Sequence, residues 1–301
     1  MRCPPRAGRA ILTGMTSDGD RLRFGLVLTD GPGDGPLTPF YRDLLAGVEE
    51  HLDPRGASML LVTAEDRAAE LALYRRWAQL RLVDAVVVTD LIDGDDRAQV
   101  CAGAGLPVVL LGGDPAWGLP VVDDYDNGAA MRVAVQHLVG LGHRRIGRVG
   151  GPERFLHSRA RSSAFRRALD EPGLTGVLAE GDYGAASGAA ATRSLLGDPV
   201  PPTAIVYDND VMAVAGLAVA AELGLRVPDD LSLLAWDDSD QCRLARPALS
   251  VVSRDVHDLG AATAAALLDT AAGRATRPGR AAQVRVVARE STGPAPVPAG
   301  V

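Results

Sequence analysis

The chain has 301 residues, a formal net charge of −7, 47% hydrophobic residues and 23% charged residues. That is enough for two core-bearing lobes, and the acidic balance excludes a global nucleic-acid footprint. All 31 basic residues are arginine, so enzyme classes that need a lysine base or Schiff base are excluded.

Residues 1–21 are rich in Pro, Gly and Arg and read as a disordered or residual linker. A buried strand is expected over 22–29, a Gly-rich cleft-edge loop over 30–39 and an amphipathic helix over 40–52. Strands at 57–62, 84–88 and 107–111 alternate with helices at 67–81 and 96–104. Short loops between alternating strands and helices are the signature of a doubly wound parallel sheet. A second series then begins. It has helices at 126–141, 159–169 and 186–196, a strand at 145–149 and a weak strand at 177–180. After 249–254, which reads as extended, come a helix at 256–272, a strand at 282–288 and a Pro- and Gly-rich tail.

The segment 201–238 is the most informative. A β-branched run over 203–207 ends in Asp208, Asn209 and Asp210, and a helix over 211–223 stops at Gly224. A second buried run, 231–236, ends in Asp237 and Asp238. Two neighbouring strands thus deliver polar side chains to one sheet edge, where open α/β sheets bind ligands. Asn209 and Asp237 are candidate contacts for hydroxyls, and Asn209 also suits a helix N-cap. Asp210 and Asp238 read as structural. Thr89 and Asp90 end the 84–88 strand and are candidates of the same kind. Phe40, Tyr41 and Trp236 are candidates for stacking on a ring, with a helix staple or the core as the alternatives for Phe40 and Trp236.

Other chemistry is weakly represented. Cys3, Cys101 and Cys242 are too few and scattered for a disulfide framework or a zinc site, and fit a reducing cytoplasm. His137 and His143 match no metal spacing, and no cofactor is expected. Phosphate-loop and nucleophile motifs are missing, which counts against an enzyme. Neither a signal peptide nor a membrane span is legible. Residues 144–167 hold eight arginines and one acid, Glu153, which reads as one ligand arginine plus a solvated helix face.

Several motifs taken together resemble the effector-binding region of LacI/GalR-type transcription regulators. They are PFYRDLLAGVE at 39–49, NGAAMRVAVQHLVGLGHRRIGRV at 127–149, the 201–238 block, and PALSVVSRD at 247–255. The resemblance implies an α/β periplasmic-binding-protein type 1 fold, with two Rossmann-like lobes, three crossings and a small ligand in the cleft. It places one lobe at 22–123 plus 256–282, the other at 124–255 plus 283–293, and a tail at 294–301. It implies that Arg161, in ARSSAF, hydrogen-bonds the effector, with Ala164 at the family's usual Gly. Arg254 lies in a crossing, either facing the ligand or pairing with Asp123 or Asp124; as a ligand contact it would extend the effector to acidic or phosphorylated compounds. The implied protein is a homodimeric cytoplasmic sensor of a sugar, sugar derivative or nucleoside. It would bind operator DNA only through a head upstream, because the first 20 or so residues show no helix-turn-helix pattern. The alternative is a stand-alone or transporter-associated sugar-binding protein.

Overall fold

The computed structural model describes residues 10–11, 21–29, 35, 37–122, 125–276 and 284–296. The loop expected at 30–39 lies largely outside them, as do Asp123, Asp124, most of the linker and the end of the tail. The chain divides into two compact units. Described residues of the first run over 10–122 and 255–276, and those of the second over 125–254 and 284–296.

The first unit opens with β1 (Ala10–Ile11), β2 (Arg23–Thr29), α1 (Pro39–Leu52), β3 (Ser58–Ala64) and α2 (Arg67–Leu80). It continues through β4 (Ala85–Val88), α3 (Arg97–Gly103), β5 (Val108–Leu111) and β6 (Val121–Val122). The second comprises α4 (Asn127–Gly140), β7 (Arg145–Gly150), α5 (Leu156–Ala168), β8 (Thr175–Glu180), α6 (Ala185–Leu196) and β9 (Ala204–Tyr207). Then come α7 (Asp210–Glu222), β10 (Ser232–Trp236), α8 (Asp240–Leu244) and β11 (Ser250–Ser253). The chain returns to the first unit with α9 (Val256–Ala271) and to the second with β12 (Arg285–Val287).

The first sheet has the order β1-β3-β2-β4-β5-β6 and the second β12-β11-β10-β9-β7-β8. All pairings are parallel except those of β1 with β3 and β12 with β11. The inner strands are continuous apolar runs because helices cover both faces. β4, β9, β10 and β11 are buried at every position. Helix α9 belongs to the first unit because it packs on α1 with almost no side chain between. A Cβ at Gly47 would lie 2.0 Å from the carbonyl oxygen of His257, and one at Gly260 would lie 2.1 Å from that of Leu44. Glycine is required at both positions.

Four elements differ from expectation. Strand β1 (Ala10–Ile11) lies within the stretch expected to be a disordered or residual linker and pairs antiparallel with β3; two residues are too short to give a legible strand pattern. Helix α5 begins at Leu156, three residues before the apolar pattern starts, because its first turn is polar and tied down locally: the Ser158 hydroxyl donates to the Gly151 carbonyl at 2.7 Å. Strand β8 starts at Thr175 and is half-buried along its length, which explains its faint signal. Helix α8 has only five residues, too few for a periodic pattern.

Candidate functional site

In the second unit, the register pairs Gly150 with Glu180, Val149 with Tyr207, Leu234 with Val206 and Trp236 with Val252. The exits of β8, β7, β9, β10 and β11 therefore share one edge. From β7 the chain crosses to β8 on one side and later to β9 on the other. Such a reversal of strand order is where open α/β sheets take their ligands.

Arg148 lies beneath this edge, in the middle of β7, with 2% exposure. Its Nε donates to Asp208 Oδ1 at 3.0 Å and its Nη2 to Asp208 Oδ2 at 2.6 Å, a two-pronged grip that a planar guanidinium allows. Nη1 donates to Ser162 Oγ at 2.6 Å, and Ser162 donates in turn to Glu153. The backbone N–H of Gly151 adds a bond to Asp208 Oδ2 at 3.2 Å. One buried ion pair thus ties the β7 exit, α5 and the β9 exit together.

Arg161 sits on this frame, itself buried. Nη1 donates to the carbonyl oxygen of Asp208 at 2.9 Å, and Nε donates to Asn127 Oδ1 at 2.8 Å. Its guanidinium lies 4.0 Å from the ring centroid of Trp236, within cation–π range. The face of Trp236 that sequence reasoning offered to a ligand is therefore covered by Arg161, and the residue is fully buried in the core, but its indole Nε1–H has no hydrogen-bond partner. Arg254 pairs with Asp237, Nε to Oδ1 at 3.4 Å, and lies 4.6 Å from the Tyr125 ring centroid. Asp237 holds φ at 64°, in the left-handed region, as befits a sharp strand exit.

Asn209 commits both ends of its amide to the protein. Oδ1 accepts the Met212 N–H at 2.9 Å and caps α7, while Nδ2 donates to the Tyr183 carbonyl at 2.8 Å. Tyr183 itself has φ of 72°. Its ring lies against Gly151, where a Cβ would come within 2.0 Å of it. His157 Nε2 lies 2.7 Å from the Tyr183 hydroxyl, and Phe155 stacks on His157 at 5.5 Å and on Tyr183 at 6.4 Å. Burial, and then the charge of Arg161, push the His157 imidazole down to about 3, so it is neutral here. Asp210, at the start of α7, is pushed up by burial and by the nearby Asp237. Asp238 pairs with Arg289 at 2.7 Å and with Arg243 at 3.2 Å.

In the first unit the strand order reverses between β2 and β4. Thr89 and Asp90 follow β4, and α1 brings Tyr41 to them. The Tyr41 hydroxyl donates to Asp90 Oδ2 at 2.9 Å and lies 3.0 Å from Thr89 Oγ1. Burial, then the charge of Asp90, raise this phenol well above its ordinary range. Phe40 packs edge-on against Tyr41, 5.2 Å between centroids, and against the core of that unit. A buried arginine anchors this edge too. Arg97 Nη2 donates to the carbonyl oxygens of Thr89 at 2.7 Å and Asp90 at 3.1 Å, and Nη1 donates to Glu70 at 3.0 Å. Arg97 also grips Asp95 through Nε and Nη2, at 3.0 and 2.6 Å.

The structure brings Arg161, Trp236, Asp237 and Arg254 together at one edge, and Tyr41, Thr89 and Asp90 at the other. Sequence reasoning missed Asn127, Arg148, Phe155, His157 and Tyr183. Tyr183 follows β8, so the strand-exit logic that found Asn209 and Asp237 also applied to it. Arg148 is marked by being a charge in the interior of an otherwise buried apolar strand. Among the described residues, no group of three or more His, Cys, Asp or Glu could hold a metal ion, and no helix is long and apolar enough to cross a membrane.

Residues 135–292 match the family described as periplasmic binding protein-like domain, a class that the two doubly wound units also define. The chain is similar to the HTH-type transcriptional regulator CelR of Thermobifida fusca, 31% identical over 296 residues, covering 96% of this chain and 85% of that protein. It is 28% identical to the lactose operon repressor of Escherichia coli (strain K12), covering 83% of this chain and 70% of that protein. Among solved structures, a LacI family transcriptional regulator from Bifidobacterium animalis subsp. lactis DSM 10140 has a TM-score of 0.81 and 34% identity, covering 91% of this chain and 98% of that one. A CelR–cellobiose complex has a TM-score of 0.79 and 30% identity, covering 90% and 85%. The chain belongs to the LacI family of transcriptional regulators.

Proposed function

We propose that the strand-exit edge of the second unit is the effector site and that the effector is a small sugar. One observation carries this reading: a stacked aromatic group and unsatisfied polar atoms share that edge. Phe155, His157 and Tyr183 form a partly exposed stacked aromatic group of the kind that meets the C–H face of a pyranose, with Arg154 lying over the Phe155 ring at 4.5 Å. The buried Trp236 indole N–H has no hydrogen-bond partner, and Asp237 Oδ1 has only the 3.4 Å ion-pair contact with Arg254, which leaves a donor and an acceptor suited to hydroxyl groups. Arg161, held on three sides by Asn127, Asp208 and Trp236, is the pre-set donor among them. Asn209 acts by holding Tyr183 in place, since both ends of its amide are engaged.

The protein then works as a cytoplasmic, dimeric, non-enzymatic sensor. Sugar binding favours one conformation over another and so changes affinity for operator DNA, reached through a helix-turn-helix head of the kind its relative's name declares. A sugar with equal affinity for both conformations would shift nothing. The CelR–cellobiose complex makes cellobiose the first compound to try. A thermal-shift screen of β- and α-linked disaccharides and nucleosides tests the reading. A true effector at about 1,000 times its Kd stabilises by about 4 kcal/mol. A screen in which nucleosides protect and no sugar does would overturn it.

A further inference from the structure

The return of the chain to the second unit carries an inference about how the effector edge keeps its shape, and it rests on the reading above. After β12 the backbone N–H of Arg289 donates to Ser250 Oγ at 2.9 Å, which seats the residue beside the start of β11. Its guanidinium then spans two places. Nη1 donates to the Leu249 carbonyl at 2.8 Å, and Nη2 donates to Asp238 Oδ1 at 2.8 Å and Oδ2 at 2.7 Å. Asp238 is the second residue after β10 and Leu249 the last before β11, so one guanidinium clasps both ends of the connection that carries α8. Between Asp238 and the strand lies Asp237. Its N–H continues the ladder by donating to the Val252 carbonyl at 3.0 Å, and its φ of 64° then turns the chain out of the sheet. A residue with a Cβ is strained in that region, so the turn needs support from outside itself.

We propose that Arg289 is a positioning residue for the effector edge: by clasping Asp238 against the start of β11 it holds the left-handed turn at Asp237, and so sets the directions of the Trp236 and Asp237 side chains. Arg243 also bonds Asp238, through the carbonyl and the carboxylate, but it cannot do this task. It sits on α8, five residues further along the same connection, and moves with the turn. Its side chain is 48% exposed, so its ion pair is weak. The Arg289 side chain is 18% exposed and is tied to the sheet through Leu249 and Ser250, on a segment 51 positions beyond Asp238. The rest of that segment is fastened elsewhere. The Ser291 hydroxyl donates to the Leu233 carbonyl at 2.6 Å and accepts the Ser250 N–H at 2.8 Å, near the start of β10 rather than its exit. Losing the Ser291 bonds loosens the segment and leaves the clasp, whereas losing the Arg289 guanidinium opens the clasp itself.

Amide hydrogen exchange followed by NMR on the full chain tests this without any sugar, read as the exchange rate of the Asp237 N–H relative to that of Leu234 inside β10. Arg289→Gln should raise this ratio at least about tenfold, whereas Ser291→Ala should lower Tm and leave the ratio unchanged. Arg289→Lys keeps the charge but loses the two-pronged grip, and should fall between wild type and Arg289→Gln. Adding Asp238→Asn to Arg289→Gln should change the ratio no further, because both remove one contact. If Arg289→Gln does not fold, Arg289→Lys and Asp238→Asn carry the same comparison against Ser291→Ala. Titration with cellobiose then reads the effect on the ligand: Kd should weaken about tenfold or more for Arg289→Gln and stay near the wild-type value for Ser291→Ala. An exchange ratio that does not separate Arg289→Gln from Ser291→Ala overturns the proposal. So does unchanged cellobiose affinity in a variant whose turn has opened. A wild type that binds no cellobiose counts against the sugar reading and not against the clasp, which the exchange ratio decides by itself.

Discussion

The two units solve one problem in different ways. Each must hold a strand exit rigid at the point where strand order reverses, and each uses a buried arginine to do it. In the first unit Arg97 grips the main chain, taking the carbonyls of Thr89 and Asp90, and its charge is offset by Glu70 and Asp95. Burial alone would raise the Asp95 carboxyl, but the hydrogen bonds and charge of Arg97 outweigh it and hold it at about 2. In the second unit Arg148 grips a side chain, the carboxylate of Asp208, whose carbonyl in turn holds Arg161. The first anchor fixes backbone and is electrically closed. The second shares its carboxylate with the arginine proposed to meet the ligand, so its loss is felt in affinity as well as in stability.

Substitutions at the two anchors give the largest effect and break the comparison most directly. Arg97→Met and Arg148→Met should each destabilise by about 3–5 kcal/mol, because each leaves buried carboxylate uncompensated. Chemical denaturation measures this. If a stabilised background keeps both folded, the account expects sugar affinity to fall much further for Arg148→Met than for Arg97→Met. Equal losses would mean that the anchors are interchangeable.

Asn209→Ala should cost less, about 1–2 kcal/mol, since it removes the α7 cap and the tether to Tyr183 together. The comparison is sharpened by repeating the change at Asp66, which caps α2 in the first unit by accepting the Ala69 N–H at 2.8 Å. Asp66→Ala should show the stability loss without a loss of sugar binding, while Asn209→Ala shows both.

The smallest effect expected is in pH dependence. The folded value of His157 lies far below its ordinary value, so on acidification the unfolded chain takes the proton first. Its contribution to stability is full above about pH 6.5 and is lost as pH falls from there towards 3. His143, lowered by burial and held between Thr203, Ser232 and Gly293, acts in the same direction. Asp95 adds a further loss only below about pH 4. Thermal denaturation between about pH 7.5 and 5 should show falling Tm, with a shallower slope for His157→Phe; an unchanged slope would mean that His157 is not held neutral.

Much of this was legible in the sequence, because apolar runs and strand-exit polar residues obey short-range rules. The βαβ series in both units, the return of α9 and β12, and the edge residues Thr89, Asp90, Asp237 and Arg161 all follow from period, position or motif. What sequence could not supply was who bonds to whom. Arg254 reads equally well as a ligand contact or as a partner of Asp123 or Asp124; its pairing with Asp237 depends on the register of β10 against β11. Asn209 reads as a cap or a contact until Tyr183 is placed, and Tyr183 lies 26 positions away in the chain. Arg148 is invisible as an anchor because its partner Asp208 lies 60 positions away on another strand exit, and Arg97 because a charge two residues from Asp95 reads from sequence as an ordinary solvated helix start.

The most direct test of the central claim is calorimetric titration of the best sugar from the screen, cellobiose first, into wild type and Arg161→Ala at matched fold stability. The account predicts saturable 1:1 binding to the wild type and a loss of at least about 2 kcal/mol in binding free energy for the variant, about a thirtyfold weaker Kd. An Arg161→Ala protein that binds the sugar as tightly as wild type would contradict it.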